Sequence, residues 1–223
     1  MRPRGVFCNP WRLGGQGASG MGRRSVHTAD ELRELILNAS TELIEHHGLA
    51  GLSAREIARR IDYSPGTLYN VFDNLDDLVL TIEGRLLDRL SQELSNVASQ
   101  TSDPRERVLR LADTYIKFTH ANPKLWNLLF EHHLPPGHDV PVWYQQKLED
   151  LMSRVEDALA PLMGVSDPQA SKRAARVLWA GVHGITSLST ADKLSIVSTE
   201  AAGALVDDLV RTYLAGLDRQ RKT

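Results

Sequence analysis

The sequence predicts an all-α protein, in which a small amino-terminal helical domain is joined by a long helix to a larger carboxy-terminal helical domain. Two observations support this prediction: apolar residues recur every three or four positions along most of the chain, and helix-starting signals precede these stretches. No segment alternates polar and apolar residues convincingly enough to indicate a strand. With 223 residues, 42% of them hydrophobic, the chain is long enough for one or two domains with a sizeable core.

Four helix starts are marked by a capping residue with an acidic residue three positions later. In this arrangement the side chains satisfy amides that the first helical turn leaves unpaired. The four pairs are Thr28 with Glu31, Ser53 with Glu56, Asn74 with Asp77, and Asp103 with Glu106. The first of these helices ends at Gly48, and the helices after Asn74 and Asp103 each carry one apolar stripe, which reaches Leu90 and Ile116 respectively.

Proline and glycine residues divide the carboxy-terminal part of the chain into further helices. Pro123 starts a short helix that ends near His133. The run from Pro135 to Gly137 then breaks the chain before a long helix, whose apolar residues lie between positions 148 and 162. Two more helices fit residues 168–189 and 198–217.

The composition excludes several classes of protein. Lysine and arginine number 26 against 28 acidic residues, so the chain as a whole is not a polycation and any basic function must be local. The single cysteine, Cys8, permits neither an intramolecular disulfide nor a multi-thiolate zinc site, which suits a reducing cytosol. No run approaches 18 uncharged apolar residues. We therefore expect a cytoplasmic protein that does not enter a membrane.

The first 27 residues differ in composition from the rest of the chain. They include five arginines and no acidic residue, and too few apolar residues to offset the entropy of ordering them. We expect residues 1–27 to form a flexible basic tail. The alternative is that the protein starts at Met21, which would remove residues 1–20.

Residues 53–72 have the pattern of two short helices joined by a tight turn. Residues 53–61 predict an amphipathic helix that buries Ile57 and Ile61, and Asp62-Tyr63 forms the connection. Ser64 then caps a helix over residues 64–72, with Pro65 in its first position. Two such helices at a sharp angle make a helix-turn-helix, and the second helix of that unit enters the major groove of DNA with its amino end first.

These residues resemble the DNA-binding domain of tetracycline-repressor-like (TetR family) transcriptional regulators. The resemblance covers residues 28–95 and rests on Ile57-Ala58, on Ser64-Pro65-Gly66-Thr67-Leu68-Tyr69, on Phe72, and on the new helix start at residues 74–78. It implies a homodimer, a double-stranded operator with two half-sites, and a carboxy-terminal domain that releases DNA when it binds a small molecule. Repression is the commoner outcome that it implies.

The resemblance also implies a division of the chain into domains. Residues 28–74 would be the helix-turn-helix DNA-binding domain, and residues 75–219 the helical ligand-binding and dimerisation domain. A second, weaker resemblance lies at Trp179-Ala180-Gly181-Val182-His183-Gly184, which is similar to the Trp-x-Gly-x-His-Gly signature of one carboxy-terminal subclass of the family.

Carried onto this chain, the resemblance places a set of residues at the operator. They are Ser53, Arg55, Tyr63, Ser64, Gly66, Thr67, Tyr69 and Asn70. We also expect Arg23 and Arg24 of the tail to follow the minor groove or the backbone, because Leu75 stands where relatives often carry a phosphate-binding lysine. Three alternatives stay open: Tyr69 packs against the first helix, Arg55 pairs with a neighbouring acid, and the tail is merely solvated.

Aromatic and histidine residues at helical spacing in the carboxy-terminal half are candidates for lining an apolar effector cavity. They are Trp126, Phe130, His133, Trp143, Trp179 and His183. The alternative is that these side chains are ordinary core. Gly181 and Gly184 each lower helix stability by about 1 kcal/mol relative to alanine, which indicates that another helix or a ligand comes close to them.

The last two helices carry more apolar surface than one core needs, so we expect two copies to close a four-helix bundle as a homodimer. The predicted interface residues are Ala175, Leu178, Val182, Ile185, Ala201, Leu205, Leu209 and Tyr213. A dimer would set two recognition helices about 34–36 Å apart, one turn of B-DNA.

The sequence gives no positive support for an enzyme, a cofactor or a metal site. It has no nucleophile elbow, no phosphate-binding loop and no nucleophile-base pair at a diagnostic spacing. His132, His133, His138 and Asp139 are near in sequence, but adjacent histidines at a helix end point in different directions. Two alternatives remain: a helical enzyme or small-molecule carrier on the same scaffold without DNA binding, and an adaptor that only binds proteins.

Overall fold

The structure, a computed structural model, describes residues 27–163 and 168–221. Within these ranges the chain is all-α, as predicted. The helices are α1 (Ala29–His47), α2 (Ala54–Ile61), α3 (Leu75–Ala98), α4 (Pro104–Ala121), α5 (Pro123–Glu131), α6 (Val142–Met163), α7 (Pro168–Thr190) and α8 (Ala202–Arg221), with 3₁₀ turns at Leu49–Gly51, Pro65–Asn70 and Leu194–Ile196. None of the described helices is both long and apolar enough to cross a membrane.

The helix starts that the sequence predicts are confirmed. Thr28 and Glu31 form a reciprocal capping box, with the Glu31 amide donating to Thr28 Oγ1 at 3.2 Å and the Thr28 amide donating to Glu31 Oε2 at 2.7 Å. Ser53, Asn74 and Asp103 each accept a backbone amide of the helix that follows them. These local hydrogen bonds fix where the helices begin before any tertiary contact is considered.

Helix α3 connects the two parts of the protein. Its amino end follows the helix-turn-helix and packs against α1, and its remaining length packs against α4, α5 and α6. It buries side chains from Leu78 to Leu94, with Leu90 fully buried. An ion pair between Arg85 of α3 and Glu34 of α1 adds a polar link on the surface. The amino-terminal helical unit is therefore attached to the larger domain mainly through one long helix.

The larger domain is built from α4, α6, α7 and α8, which pack against one another, and α4 and α6 also pack against α3. The most deeply buried residues of this domain include Leu159 on α6, Ala175 on α7 and Val210 on α8. Helix α5 lies between the two parts, in contact with α1, α3 and α4. The Nζ atom of Lys124 on α5 donates to the His46 carbonyl at the end of α1.

The predicted dimer interface is wrong for Ala175, Leu178 and Val182. These side chains are buried inside the protomer, because the inward stripe of α7 packs against α4, α6 and α8. The outward stripe of α7 instead consists of Val177, Ala180, Gly184 and Leu188. Ile185, Leu205, Leu209 and Tyr213 are half-buried, and the exposed Ala201 lies just before α8.

Two predicted helix boundaries also differ from the structure. The helix expected over residues 198–217 begins only at Ala202, because Ser198 Oγ accepts the Glu200 amide in a local turn that competes with the helix. The short helix expected to end near His133 ends at Glu131.

Candidate DNA-binding surface and apolar cavity

The turn between α2 and the Pro65–Asn70 segment is made by a left-handed residue. Asp62 has φ 58° and ψ 44°, and the Tyr63 amide donates to the Ala58 carbonyl at 2.9 Å. Aspartate tolerates this backbone region better than most side chains, because its carboxylate can bond locally. The chain therefore turns sharply out of α2 and presents the next segment at an angle to it, as a helix-turn-helix requires.

The second helix of this unit is shorter and tighter than predicted. The sequence predicts a helix over residues 64–72, whereas the structure has a 3₁₀ helix at Pro65–Asn70 with bonds of the 3₁₀ type, such as the Thr67 amide to the Ser64 carbonyl at 3.0 Å. Pro65 supplies no amide, and a glycine beside it disfavours a regular α-helical turn. Ser64 does not cap the helix with its side chain, since its hydroxyl lies 2.9 Å from Thr67 Oγ1.

Two buried side chains anchor the helix at Pro65–Asn70, the recognition helix. Leu68 within it and Phe72 just after it are each 2% exposed. Arg33 of α1 stacks its guanidinium 4.4 Å from the centre of the Phe72 ring and donates to the Val71 carbonyl at 3.3 Å. The carboxyl side of the recognition helix is thus held firmly, while its amino end faces outward.

Most of the residues predicted to bind DNA are exposed, on or beside α2 and the recognition helix. Tyr69 is 53% exposed, so it does not pack into the protein. The exposed residues are Ser53, Arg55, Ser64, Gly66, Tyr69 and Asn70, with Thr67 half-buried. Within the described residues Arg55 forms no ion pair, whereas Arg59 pairs with Glu56 and Arg60 with Glu42.

Tyr63, Arg23 and Arg24, which are also predicted to contact DNA, do not belong to this exposed set. Tyr63 is half-buried and its hydroxyl lies 2.7 Å from His27 Nδ1, so it ties the chain before α1 to the turn. Arg23 and Arg24 lie outside the residues that the structure describes.

Four of the six predicted effector-site residues come together in the larger domain. Trp126, Phe130, Trp179 and His183 form an aromatic cluster around Tyr115 of α4. Tyr115 meets Trp126 edge-on, with ring centres 5.3 Å apart. Tyr115 could not be identified from the sequence, because its place in the apolar stripe of α4 indicates a core residue, and only its neighbours on α5 and α7 give it a polar role.

Beside this cluster lies a partly open cavity of about 40 Å³. Its lining combines Leu94 of α3 with residues of α4, α6 and α7: Val108, Leu111, Ala112, Tyr115, Leu151, Met152, Val155, Leu178, Trp179 and Val182. No lining side chain is charged. Leu178 and Val182, expected at a dimer interface, are therefore part of the cavity wall.

His133 and Trp143 lie outside this cluster. His133 is exposed, beyond the end of α5 at Glu131, and its Nδ1 lies 2.8 Å from the Glu131 carbonyl oxygen. Trp143 packs across α3 at Gly84, where a Cβ atom would lie 2.8 Å from Trp143 Cζ3. As expected, another helix comes close to Gly181, because Leu209 of α8 packs against it. Gly184 instead faces outward, with nothing near it.

His132 joins the end of α5 to α3 through two carboxylates. Its Nδ1 lies 3.2 Å from Glu83 Oε1 and its Nε2 lies 3.1 Å from Asp76 Oδ1, and the imidazole is 7% exposed. Both ring nitrogens can donate only when the ring is protonated. The hydrogen bond to Glu83, aided by Asp76, raises the pKa of His132, although burial opposes it. Tyr144 of α6 faces the same Glu83, and burial together with that carboxylate raises the pKa of Tyr144.

Comparison with known proteins gives matches along most of the chain. The model described as "Bacterial regulatory proteins, tetR family" matches residues 36–82, and the model described as "Tetracyclin repressor-like, C-terminal domain" matches residues 108–213. Among curated proteins, the chain is similar to the HTH-type transcriptional regulator Rv0681 of Mycobacterium tuberculosis. The two are 25% identical over 214 residues, which cover 93% of this chain and 91% of the relative.

Solved structures share the fold. A protein from Rhodococcus sp. RHA1 has a TM-score of 0.71 at 23% identity, and the match covers 88% of this chain and all of that one. Thermus thermophilus FadR, a transcriptional repressor solved in complex with lauroyl-CoA, has a TM-score of 0.61 at 23% identity, with 82% and 94% coverage.

Because His132 lies between two carboxylates, we expect the stability of the protein to depend on pH. Because the pKa of His132 is raised on folding, its stabilising effect is complete below its unfolded pKa of about 6.5 and disappears as the pH rises through the folded value. We expect His132→Asn to lower the free energy of unfolding by about 2 kcal/mol at pH 6, and by less at pH 9. Urea unfolding at both pH values measures the difference. His133→Asn, at the exposed neighbour, is the control, and a loss independent of pH would contradict a protonated His132.

Proposed function

The chain belongs to the TetR family of ligand-responsive, DNA-binding transcriptional regulators, and from this premise we propose that it is a homodimeric repressor that a small apolar effector releases from a palindromic operator. The observation that carries the proposal is the recognition helix. Its buried Leu68 fixes the backbone, while Gly66 near the amino end and Tyr69 near the carboxyl end are both exposed. A rigidly held, outward-facing tip is what insertion into a major groove requires.

The roles of the individual side chains follow from their chemistry. Ser64 and Gly66 are exposed, so backbone amides in this stretch can approach phosphate oxygens. Thr67, Tyr69 and Asn70 carry the groups that would reach base edges. Arg55 on α2 has a guanidinium without an acidic partner among the described residues, so a phosphate or a base can bind it without breaking an ion pair.

The dimer would form through the outward face of α7 together with the neighbouring edge of α8. Val177, Ala180, Gly184 and Leu188 make an apolar stripe with small residues at its centre, so a partner helix can approach closely. Val177 is 54% exposed and Leu188 39%, which is unfavourable for a lone protomer. The half-buried Ile185, Leu205, Leu209 and Tyr213, with Ala201, would border this stripe.

The effector would act by opening the apolar cavity. A molecule larger than about 40 Å³ must displace the walls formed by α4, α6 and α7, and it would also displace Leu94 on α3. Helix α3 follows directly after the recognition helix, so a tilt of α3 changes the separation of the two recognition helices in a dimer. The effector shifts the equilibrium only because it binds the wrongly spaced state more tightly.

Tyr69→Ala tests the DNA surface. We expect at least about a hundredfold weaker binding to the DNA upstream of the gene in a mobility shift assay, with the oligomeric state unchanged, because base contacts are lost from an exposed side chain. Leu148→Ala, at a half-exposed site on α6, should bind DNA as the wild type does. An unchanged shift for Tyr69→Ala would refute its place at the operator.

Replacing Arg23 and Arg24 by alanine tests the tail. Residues 28–74 contain four arginines and eight acidic residues, so this segment repels phosphates and needs positive charge from elsewhere. We expect the slope of log K against log salt concentration to become shallower by about 2, since each lost phosphate contact removes about 0.9. A slope equal to that of the wild type would mean that the tail stays in solvent.

Gly184→Arg tests the dimer. Arginine forms helix better than glycine, and no atom of the protomer lies within 4 Å of the new Cβ, so the variant should fold. Its side chain would block a partner helix. In sedimentation velocity at about 10 µM, we expect the variant to be a monomer and the wild type a dimer. Gly203→Arg, at an equally open glycine on α8, should remain dimeric. A dimeric Gly184→Arg variant would place the interface elsewhere.

A further inference from the structure

The exposed face of α7 has the same pattern of side-chain sizes in both directions along the helix. Val177 and Leu188 are its large apolar residues, and both are exposed. Ala180 and Gly184, also exposed, lie between them, about one turn from Val177 and Leu188 respectively. A second copy of α7 running antiparallel would therefore place Val177 against the partner's Leu188, with small residues facing small residues. The face fits its own copy, as a two-fold contact requires.

Two charged residues extend this pattern at its ends. Arg173 lies about one turn before Val177, and Asp192 lies as far beyond Leu188. Both are exposed, and neither side chain forms an ion pair or a hydrogen bond within the described part of the protomer. The neighbouring Arg176, by contrast, already has an ion pair inside the protomer. Because the two spacings are equal, the antiparallel arrangement that joins Val177 to the partner's Leu188 also joins Arg173 to the partner's Asp192.

The position of Asp192 in the fold is unfavourable for a lone protomer. It follows the last residue of α7, Thr190, in a left-handed turn with φ 56°, where the Lys193 amide donates to the Leu188 carbonyl at 2.8 Å. The carboxyl end of a helix carries a partial negative charge, which repels a carboxylate. A guanidinium supplied by a second copy would compensate this repulsion.

The charges also distinguish the antiparallel arrangement from a parallel one. The apolar residues alone allow both, because in a parallel pair each residue meets its own copy. In that pair, however, Arg173 would face the partner's Arg173 and Asp192 the partner's Asp192. Like charges facing each other across an interface are destabilising, and opposite charges fix the register.

We propose that two copies of this chain pair their α7 helices antiparallel, with Arg173 bound to the partner's Asp192 and Val177 packed on the partner's Leu188. The assignment rests on the proposed function, since it gives the register of the dimer proposed there. The two-fold axis passes beside the middle of the stripe, between Gly181 and Gly184, so each dimer contains the ion pair twice.

Cross-linking tests the register directly. Val177→Cys and Leu188→Cys are made separately in the full chain, with Cys8, the single native cysteine, replaced by serine. We expect a short bifunctional maleimide to cross-link an equal mixture of the two variants, and neither variant with itself. The two Val177 positions of a dimer would lie about 16 Å apart along the helix axis, at about 1.5 Å per residue, which is beyond the reach of the reagent.

Reversing the charges tests the ion pair. Arg173→Glu and Asp192→Lys each create two like-charge contacts per dimer, and we expect each to raise the dimer dissociation constant in sedimentation velocity by at least about tenfold. The double variant restores both pairs with the signs exchanged, so it should dimerise within about threefold of the wild type.

Matched variants keep the charge test specific. Lys172→Glu makes the same change of charge as Arg173→Glu, but at an exposed position about 100° further around α7, so it should dimerise within about twofold of the wild type. If Asp192→Lys proves unstable, Asp192→Asn serves instead, because asparagine tolerates the left-handed backbone. It should weaken the dimer by about threefold, since it removes the attraction without adding repulsion.

Three results would overturn the proposal: Val177→Cys cross-linked to itself, no cross-link in the mixture, or a double charge variant no better at dimerising than the single ones. The proposed function fails separately, if the wild type is a monomer at about 10 µM or does not retard the upstream DNA.

Discussion

The structure depends on one long helix, α3, which is buried against two neighbouring groups of helices. One continuous helix packs its amino end against α1, and its remaining length against α4, α5 and α6. Because a 24-residue helix is rigid over its length of about 36 Å, a displacement at the Leu94 end is transmitted to the end that follows the recognition helix. The DNA-facing unit and the cavity are therefore mechanically connected without a direct contact between them.

Helix α5 provides a second connection between the two parts. Its Trp126 and Phe130 belong to the aromatic cluster, and the residue that ends it, His132, binds two carboxylates of α3. A buried ion pair of this kind adds little net stability, but breaking it is costly, because it leaves Glu83 buried without a partner. The pair thus favours one fixed arrangement of α5 and α3, which a ligand that moves Trp126 or Phe130 must disturb.

The aromatic cluster differs from ordinary core in its polar content. A core residue packs against apolar neighbours, whereas Tyr115, His183 and Ser187 form a hydrogen-bonded chain, and the indole N–H of Trp126 has no partner among the described residues. An apolar core of the same size would be simpler and at least as stable.

Local sequence signals determined where the helices begin and which unit faces DNA, since capping pairs, prolines and the spacing of Leu68 and Phe72 act over only a few residues. Tertiary structure decided what the apolar face of each carboxy-terminal helix packs against. Ala175, Leu178 and Val182 have the spacing of an interface, but α4, α6 and α8 cover them within the protomer, and they became core and cavity wall. His132 and His133 could not be told apart by sequence, because a shift of a residue or two in the end of α5 decides which of them meets Glu83. Periodicity identifies an apolar stripe, and only the packing of distant helices determines what that stripe contacts.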